Sequence, residues 1–263
     1  MIWPAEGIRE AVCPVLADFS VEILPELDST NTELMRRARG GRLEPILLVA
    51  ERQTAGRGRL GRDWHSSTGD SLTFSLGLLL SPPDWSGLSL AVGASVAESL
   101  HPDVRLKWPN DLWLGGAGGD RKLGGILIET ASIGEQRYAV IGIGINIAPR
   151  AAAGLSTPPA CLRELDAALD APRALLRIVP ALVQTVAAFG LYGFAPFQAR
   201  FNARDVLHGR LVSVSDGKGG LLQGTAFGAG EDGALLVHTA LGMKQITSSE
   251  VSVRPQPTAG KAA

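Results

Sequence analysis

Residues 51–64 crowd four arginines (Arg52, Arg57, Arg59, Arg62) and three glycines (Gly56, Gly58, Gly61) into one loop directly after a predicted strand. Glycine lets backbone approach a ligand and turn its N–H groups inward, and guanidinium forks match the oxygens of phosphate or carboxylate. Such a loop can wrap an anion. It is not a Walker loop, because Gly-x-x-x-x-Gly-Lys-Ser/Thr is absent. Taken alone it equally suits a basic surface hairpin, or an RNA-backbone contact that the balanced net charge argues against.

Three further strings carry candidate chemistry. In Lys107-Trp108-Pro109-Asn110-Asp111 the proline drives Trp108 to an extended conformation and so fixes where its neighbours point. Lys107 is suited to phosphate oxygens, and Asp111 to Mg²⁺ or to a proton. A surface turn with an ordinary ion pair is the alternative. In Arg121-Lys122-Leu123-Gly124-Gly125-Ile126-Leu127-Ile128-Glu129 a lysine leads into an apolar strand, which costs free energy unless the ammonium has a task or snorkels to solvent. Gly124 and Gly125 weaken a strand unless something approaches closely, and a ligand would do so. Ile141-Gly142-Ile143-Gly144-Ile145-Asn146 puts isoleucine on one face and glycine on the other, leaving room for a flat or chain-like ligand beside Asn146, or for a closely packed helix. A dinucleotide fingerprint of the Gly-x-Gly-x-x-Gly type followed by a helix is absent.

These strings need elements to hold them. Alternation predicts strands over 21–24, 46–50, 72–80, 104–107, 123–130 and 138–146. Helical spacing predicts a helix opening at Ser29-Thr30-Asn31, with Thr30 and Glu33 as a capping box and Gly40-Gly41 as its end. Further helices are predicted over 88–100 and 175–192, with a short one around 161–169 inside an Ala- and Pro-rich excursion, 148–172, that carries no evident chemistry. After Phe201 short strands alternate with Asp216-Gly217, Gly219-Gly220 and Asp232-Gly233 turns, the pattern of a separate small β-barrel.

The chain has 263 residues, 45% of them hydrophobic, enough for one large domain and a small one. Lys and Arg number 25 against 26 Asp and Glu, so no global field draws the protein to nucleic acid or membrane, and anion recognition must be local. Cys13 and Cys161 have no Cys-x-x-Cys spacing, which argues against a disulfide framework or a zinc site and fits a reducing, cytoplasmic setting. No apolar run is expected to reach the roughly 18–20 residues that span a bilayer, and the first nine residues lack a secretory pattern.

Ser29-Thr30-Asn31, the loop from Gln53 to Arg62, the strings Lys107 to Asp111 and Arg121 to Glu129, and Gly144-Ile145-Asn146 together resemble biotin–protein ligases in identity, order and approximate spacing. The resemblance is strong over 29–146, and the β-rich tail is similar to the family's small C-terminal domain in pattern. It implies an α+β fold: a central mixed β-sheet flanked by helices over 1–206, an SH3-like β-barrel over 207–255 and a flexible tail over 256–263. It further implies that Ser29, Thr30, Asn31, Gln53 and Gly125 line a biotin pocket, with Gly56, Arg57, Gly58 and Arg59 binding biotin and its adenylate. Lys122 would contact the reacting carboxylate and phosphate, Asn146 would face adenine, and Trp64 would pack over the adenylate when the loop closes. Lys107, Asn110 and Asp111 would form the ATP and Mg²⁺ end.

The activity so implied joins biotin to ATP as an acyl-adenylate, then transfers biotin to a lysine of a biotin carboxyl carrier domain such as that of acetyl-CoA carboxylase. Lys122, Arg59 and Asp111 are the expected catalytic residues, with Asp111 the candidate to deprotonate the acceptor lysine, whose free pKa is about 10.4. Some members of this family repress transcription through an N-terminal helix-turn-helix. Here 28 residues precede Ser29, too few for that module, so no DNA-binding role is expected. Sheet-edge dimers in the family make a homodimer an expectation by analogy. The competing readings are a lipoate–protein ligase or octanoyl transferase, and a non-catalytic biotin-binding module.

Overall fold

In a computed structural model, described over residues 1–115, 119–152, 157–215, 220–247 and 252–255, the chain folds around a seven-stranded sheet. Helix α1 (Ala5–Val12) leads into β1 (Ser20–Leu27), α2 (Thr30–Arg39) and β2 (Ile46–Gln53), followed by a short hairpin of β3 (Gly56–Arg57) and β4 (Asp63–Trp64). Then come β5 (Ser71–Leu79), α3 (Leu88–Leu100), β6 (Val104–Lys107), β7 (Asp111–Leu114), β8 (Arg121–Ile133) and β9 (Gln136–Asn146). The strand order is β1-β2-β5-β9-β8-β7-β6, with only β1 and β2 parallel. This is the expected α+β architecture.

Side-chain alternation divides the sheet into two faces. Leu47, Val49, Leu72, Phe74, Leu76, Ile141, Ile143 and Ile145 point into the main apolar core with α3 and α4 (Ala171–Tyr192). Leu48 and Val140 point the other way, against Leu34, Met35 and Ala38 of α2. Gly142 and Gly144 share that second face, so a site beside them lies on the α2 side of the sheet.

Several elements differ from expectation. The cap of α2 is Ser29, whose Oγ accepts from the Thr32 N–H at 3.4 Å, because Thr30 is occupied elsewhere. Both α1 and β7 went unpredicted, and the helix expected around 161–169 shrinks to a 3₁₀ turn, Leu162–Glu164. α4 has 22 residues and is, by length and composition alone, apolar enough to cross a membrane, contrary to the expectation that no run would be. It packs instead as a core helix: Ala174, Ile178, Leu182, Val186 and Phe189 are buried on one stripe, while Arg173 and Arg177 lie exposed on another. Asp170 caps it by accepting from the Arg173 N–H at 2.9 Å.

After α5 (Gln198–Asn202) the chain forms β10 (Leu211–Ser215), β11 (Leu221–Ala229), β12 (Leu235–Thr239), β13 (Gly242–Ile246) and β14 (Ser252–Pro255). They make a five-stranded antiparallel sheet, β13-β12-β11-β10-β14, consistent with an SH3-like fold. Its inward residues Val212, Val214, Ala226, Leu235, Val237 and Val253 join the main apolar cluster rather than closing a second one. The expected Asp232-Gly233 turn is present, with Gly233 at φ +79°. The Asp216-Gly217 and Gly219-Gly220 turn and the tail 256–263 fall wholly or partly outside the described residues.

Candidate active site

A polar clamp forms where α2 begins. The Thr30 N–H donates to Gln53 Oε1 at 2.7 Å and the Thr30 hydroxyl to the same oxygen at 3.2 Å. Ser75, fully buried on β5, donates to Asn31 Oδ1 at 2.6 Å, and Asn31 Nδ2 donates to the Leu127 carbonyl at 3.1 Å and to Glu129 Oε2 at 2.9 Å. Every polar atom of the Asn31 amide is therefore engaged, and the residue is rigid. A Cβ on Gly142 would collide with that amide, so glycine at 142 is explained by Asn31.

The cationic end is built by β6, β7 and β8. Pairing sets Lys107 opposite Asp111 and Asp111 opposite Gly125, and an irregularity between Leu112 and Trp113 brings Lys122 opposite Trp113. Lys122 Nζ lies 2.7 Å from Asp111 Oδ1, and Lys107 Nζ lies 3.9 Å from Oδ2 and 5.2 Å from the centre of the Trp113 ring. Burial pushes the Lys107 ammonium below the usual lysine range, opposed by Asp111 and reinforced by the charge of Lys122. A Cβ on Gly125 would sit 3.5 Å from Lys122 Nζ, so this glycine keeps the wall low beside the ammonium. Gly124 is different, since its Cβ would lie 2.5 Å from the Gly144 carbonyl. The neighbouring strand, not a ligand, explains it.

Between the two ends lies the arginine loop. The Gly58 N–H donates to the Arg62 carbonyl at 2.7 Å, and Leu60 (φ +57°) and Gly61 (φ +70°) make the sharp turn. Gly56 pairs with Trp64, packed against its backbone and the Gln53 amide. Arg57 reaches both oxygens of Glu129 at 3.4 Å, and burial holds the Arg59 guanidinium below its ordinary range against the pull of Asp111. The Trp64 indole lies on the sheet, 2.5 Å from where a Gly144 Cβ would be. The space expected for a ligand beside Gly142 and Gly144 is thus filled by Asn31 and Trp64.

Asn146 donates to the Ala160 carbonyl at 2.9 Å and the Lys122 carbonyl at 3.3 Å, and its Oδ1 accepts from Arg150 at 3.3 Å. Asn110 donates to the Ile126 carbonyl at 2.8 Å, closing the turn between β6 and β7 onto β8. A cavity of about 450 Å³ runs between the clamp and the lysines, and every expected site residue except Gly56 lines it. Both oxygens of Asp111 face ammonium groups, and among the described residues no group of three or more His, Cys, Asp or Glu could hold a metal. Mg²⁺ takes one or two carboxylates together with substrate phosphates, so Asp111 could serve it only by giving up an ammonium partner.

The profile of the biotin/lipoate A/B protein ligase family matches residues 24–146. The chain is 36% identical to the bifunctional ligase/repressor BirA of Escherichia coli K12 over 244 residues, 89% of this chain and 74% of that one. It is 33% identical to the biotin–[acetyl-CoA-carboxylase] ligase of Paracoccus denitrificans, over 87% of this chain and 98% of the relative. The chain belongs to the biotin protein ligase family. The biotin protein ligase of Aquifex aeolicus, solved with biotin and ATP, superposes with a TM-score of 0.74 at 31% identity, covering 90% of this chain and 99% of that one.

Within this biotin protein ligase fold the cavity has walls that the sequence reading missed. Arg150 lies in the excursion judged free of chemistry, where it also donates to the His65 carbonyl at 3.3 Å. Pro158 and Pro159 bridge to the backbone of Lys122, whose N–H donates to the Pro158 carbonyl at 2.8 Å. Val253, Arg254 and Pro255 bring β14 to the cavity rim. None of these has a local pattern. Glu129 and Ser75 did carry one: a carboxylate and a hydroxyl inside otherwise apolar strands ask for buried partners.

Proposed function

We propose that this chain is an ATP-dependent biotin–protein ligase that forms biotinyl-5′-AMP and pyrophosphate, then transfers biotin to a lysine of a biotin carboxyl carrier domain such as that of acetyl-CoA carboxylase. The observation that carries the reading is the pair of ammonium groups gathered on Asp111 in the same cavity as the Thr30–Gln53 clamp. A carboxylic acid recognised at its polar far end by Ser29, Thr30, Asn31 and Gln53 would extend along the Trp64 face toward Lys122. ATP would bring its phosphates to Lys107, Lys122 and Arg59, with Arg57, Asn110 and Asn146 bordering the nucleotide. Residues 1–206 would hold the chemistry and 207–255 would close its rim.

The difficulty of the first step is bringing two anions together. Lys122 and Arg59 offset the repulsion between the attacking carboxylate and the α-phosphate, and Lys107 meets charge that develops on the departing pyrophosphate. Mg²⁺ arrives with the phosphates as part of that substrate. Asp111 holds both ammonium groups at fixed spacing, which pre-organises them before ATP arrives. Arg57 and Arg59 sit on a glycine-rich hairpin, so the loop can tighten over the adenylate and keep water from it.

The test is to incubate the protein with MgATP and biotin, lipoate or octanoate in turn. The expected result is pyrophosphate release and a bound adenylate of biotin mass, discharged onto an added carrier domain. Activity with lipoate but not biotin would overturn the substrate, and no adenylate with any acid would leave a binding module.

A further inference from the structure

Among the described residues the arginine hairpin shares no strand ladder with the main sheet, since β3 and β4 pair with each other alone. Its residues 57–59 line the 450 Å³ cavity and also a second cavity of about 600 Å³, which β8 borders from Ile126 to Thr130. The hairpin is the partition between the two. Side chains fasten it in place: the Trp64 indole lies on Gly144, and Arg57 Nη2 reaches both oxygens of Glu129 at 3.4 Å. The same carboxylate accepts from Asn31 Nδ2 through Oε2 at 2.9 Å. One acidic group on β8 therefore joins the partition to the clamp at the head of α2. A carboxylate beside Leu127 and Ile128 costs free energy without partners, and both of its partners are site residues.

We infer that Glu129 is a positioning residue that latches the arginine hairpin over the bound adenylate through Arg57, with the carboxylate itself aimed by Asn31 of the clamp. The inference rests on the adenylation reading and deepens it. The two contacts differ in strength. Asn31 is held on two other sides, by Ser75 and by the Leu127 carbonyl, so its bond to Glu129 is short and fixed. The ion pair to Arg57 is longer, with side-chain exposures of 47% for Arg57 and 29% for Glu129, and pairs of that kind are weak and screened by salt. A weak bond on a firm base suits a partition that keeps water from the adenylate and still opens for the acceptor lysine. Losing the ion pair should therefore let the adenylate escape sooner and leave the recognition of biotin in place.

Glu129→Gln keeps an oxygen for Asn31 Nδ2 and deletes the charge that faces Arg57. The full chain is loaded with biotin and MgATP, freed of excess substrate without any carrier present, and followed for escape of biotinyl-adenylate and its hydrolysis to biotin and AMP. We expect escape to quicken about threefold to fivefold in Glu129→Gln, the scale of a half-exposed ion pair, with the KM for biotin within about twofold. Raising the salt toward 1 M, where the Debye length is about 3 Å, should speed escape from the wild type and narrow the gap between the two proteins. In an Arg57→Gln background Glu129→Gln should add nothing further. Equal escape from both proteins, additive effects with Arg57→Gln, a gap indifferent to salt, or a rise matched by the KM for biotin would overturn the latch while leaving the adenylation reading intact. A wild type that forms no bound adenylate would overturn both.

Discussion

Lys122 and Asp111 stand on neighbouring strands with their charged atoms 2.7 Å apart, and the second oxygen of the same carboxylate faces Lys107. The carboxylate is the hinge of the cationic end. Removing either ammonium leaves Asp111 with an uncompensated share of charge, and removing Asp111 leaves two ammonium groups to repel one another in a partly buried site.

Lys122→Ala should cut pyrophosphate release by about a hundredfold or more, the usual scale for a lost transition-state charge contact, with the fold intact. Rapid-quench measurement with biotin and MgATP reads it directly. Near-normal release would remove Lys122 from the chemistry. Asp111→Asn separates two roles: if the carboxylate only spaces the lysines, the adenylation step falls and the transfer of preformed biotinyl-adenylate to the carrier stays near wild type. A drop confined to transfer would make Asp111 the proton acceptor instead.

Gly144→Ala should weaken biotin binding through Trp64. The new methyl would enter the space of the indole, and overpacking of this kind costs about 1–3 kcal/mol unless the neighbour moves. Moving Trp64 shifts the β4 side of the arginine hairpin. In a Trp64→Ala background the Gly144→Ala substitution should have little further effect, a coupling that calorimetric titration with biotin would detect. Additive losses would show that Gly144 matters for another reason.

Much of this site was legible in sequence because its residues come in short strings whose composition conflicts with their surroundings: arginines among glycines, and a lysine entering an apolar strand. The helix over 88–100 was legible because small and apolar residues recur at helical spacing, and it is buried almost all round. What escaped depends on tertiary neighbours. Ser29 and Thr30 are both good caps, and only the distant Gln53, by occupying Thr30, decides between them. The space beside Gly142 and Gly144 looked empty because the side chains that fill it, Asn31 and Trp64, arrive from far along the chain. α1 buries only Ile8 and Val12, too few positions to show a period, and Arg150 and Arg254 stand alone in stretches without pattern.

Lys107 should set an early alkaline limit. On the proposed reading its charged ammonium form is the one that would meet phosphate, and burial favours the neutral form, so the charge is lost at a lower pH than the ordinary value of about 10.4. The ratio kcat/KM for MgATP should fall on the alkaline side below that value. Lys107→Arg keeps the charge at every accessible pH and should move the limb upward even if the maximum rate drops. An unmoved limb would assign it to another group.

Asp205 supplies the last test, through stability. Burial raises its carboxyl to about 6 from 3.8, against the pull of the Leu207 N–H and the charges of His208 and Lys107, and its Oδ2 is buried without a hydrogen-bond partner. A raised carboxyl pKa means that the folded protein holds its proton where the unfolded chain has released it. The associated stability is complete below about pH 4 and is lost as the pH rises to about 6. Asp205→Asn retains an oxygen for the Leu207 N–H and never ionises. The variant should match the wild type near pH 4 and exceed it above pH 6 by on the order of 1–3 kcal/mol in urea unfolding. Parallel stability curves for the two proteins would mean that the Asp205 carboxylate is not penalised in the fold, and that Lys107 compensates its charge in full.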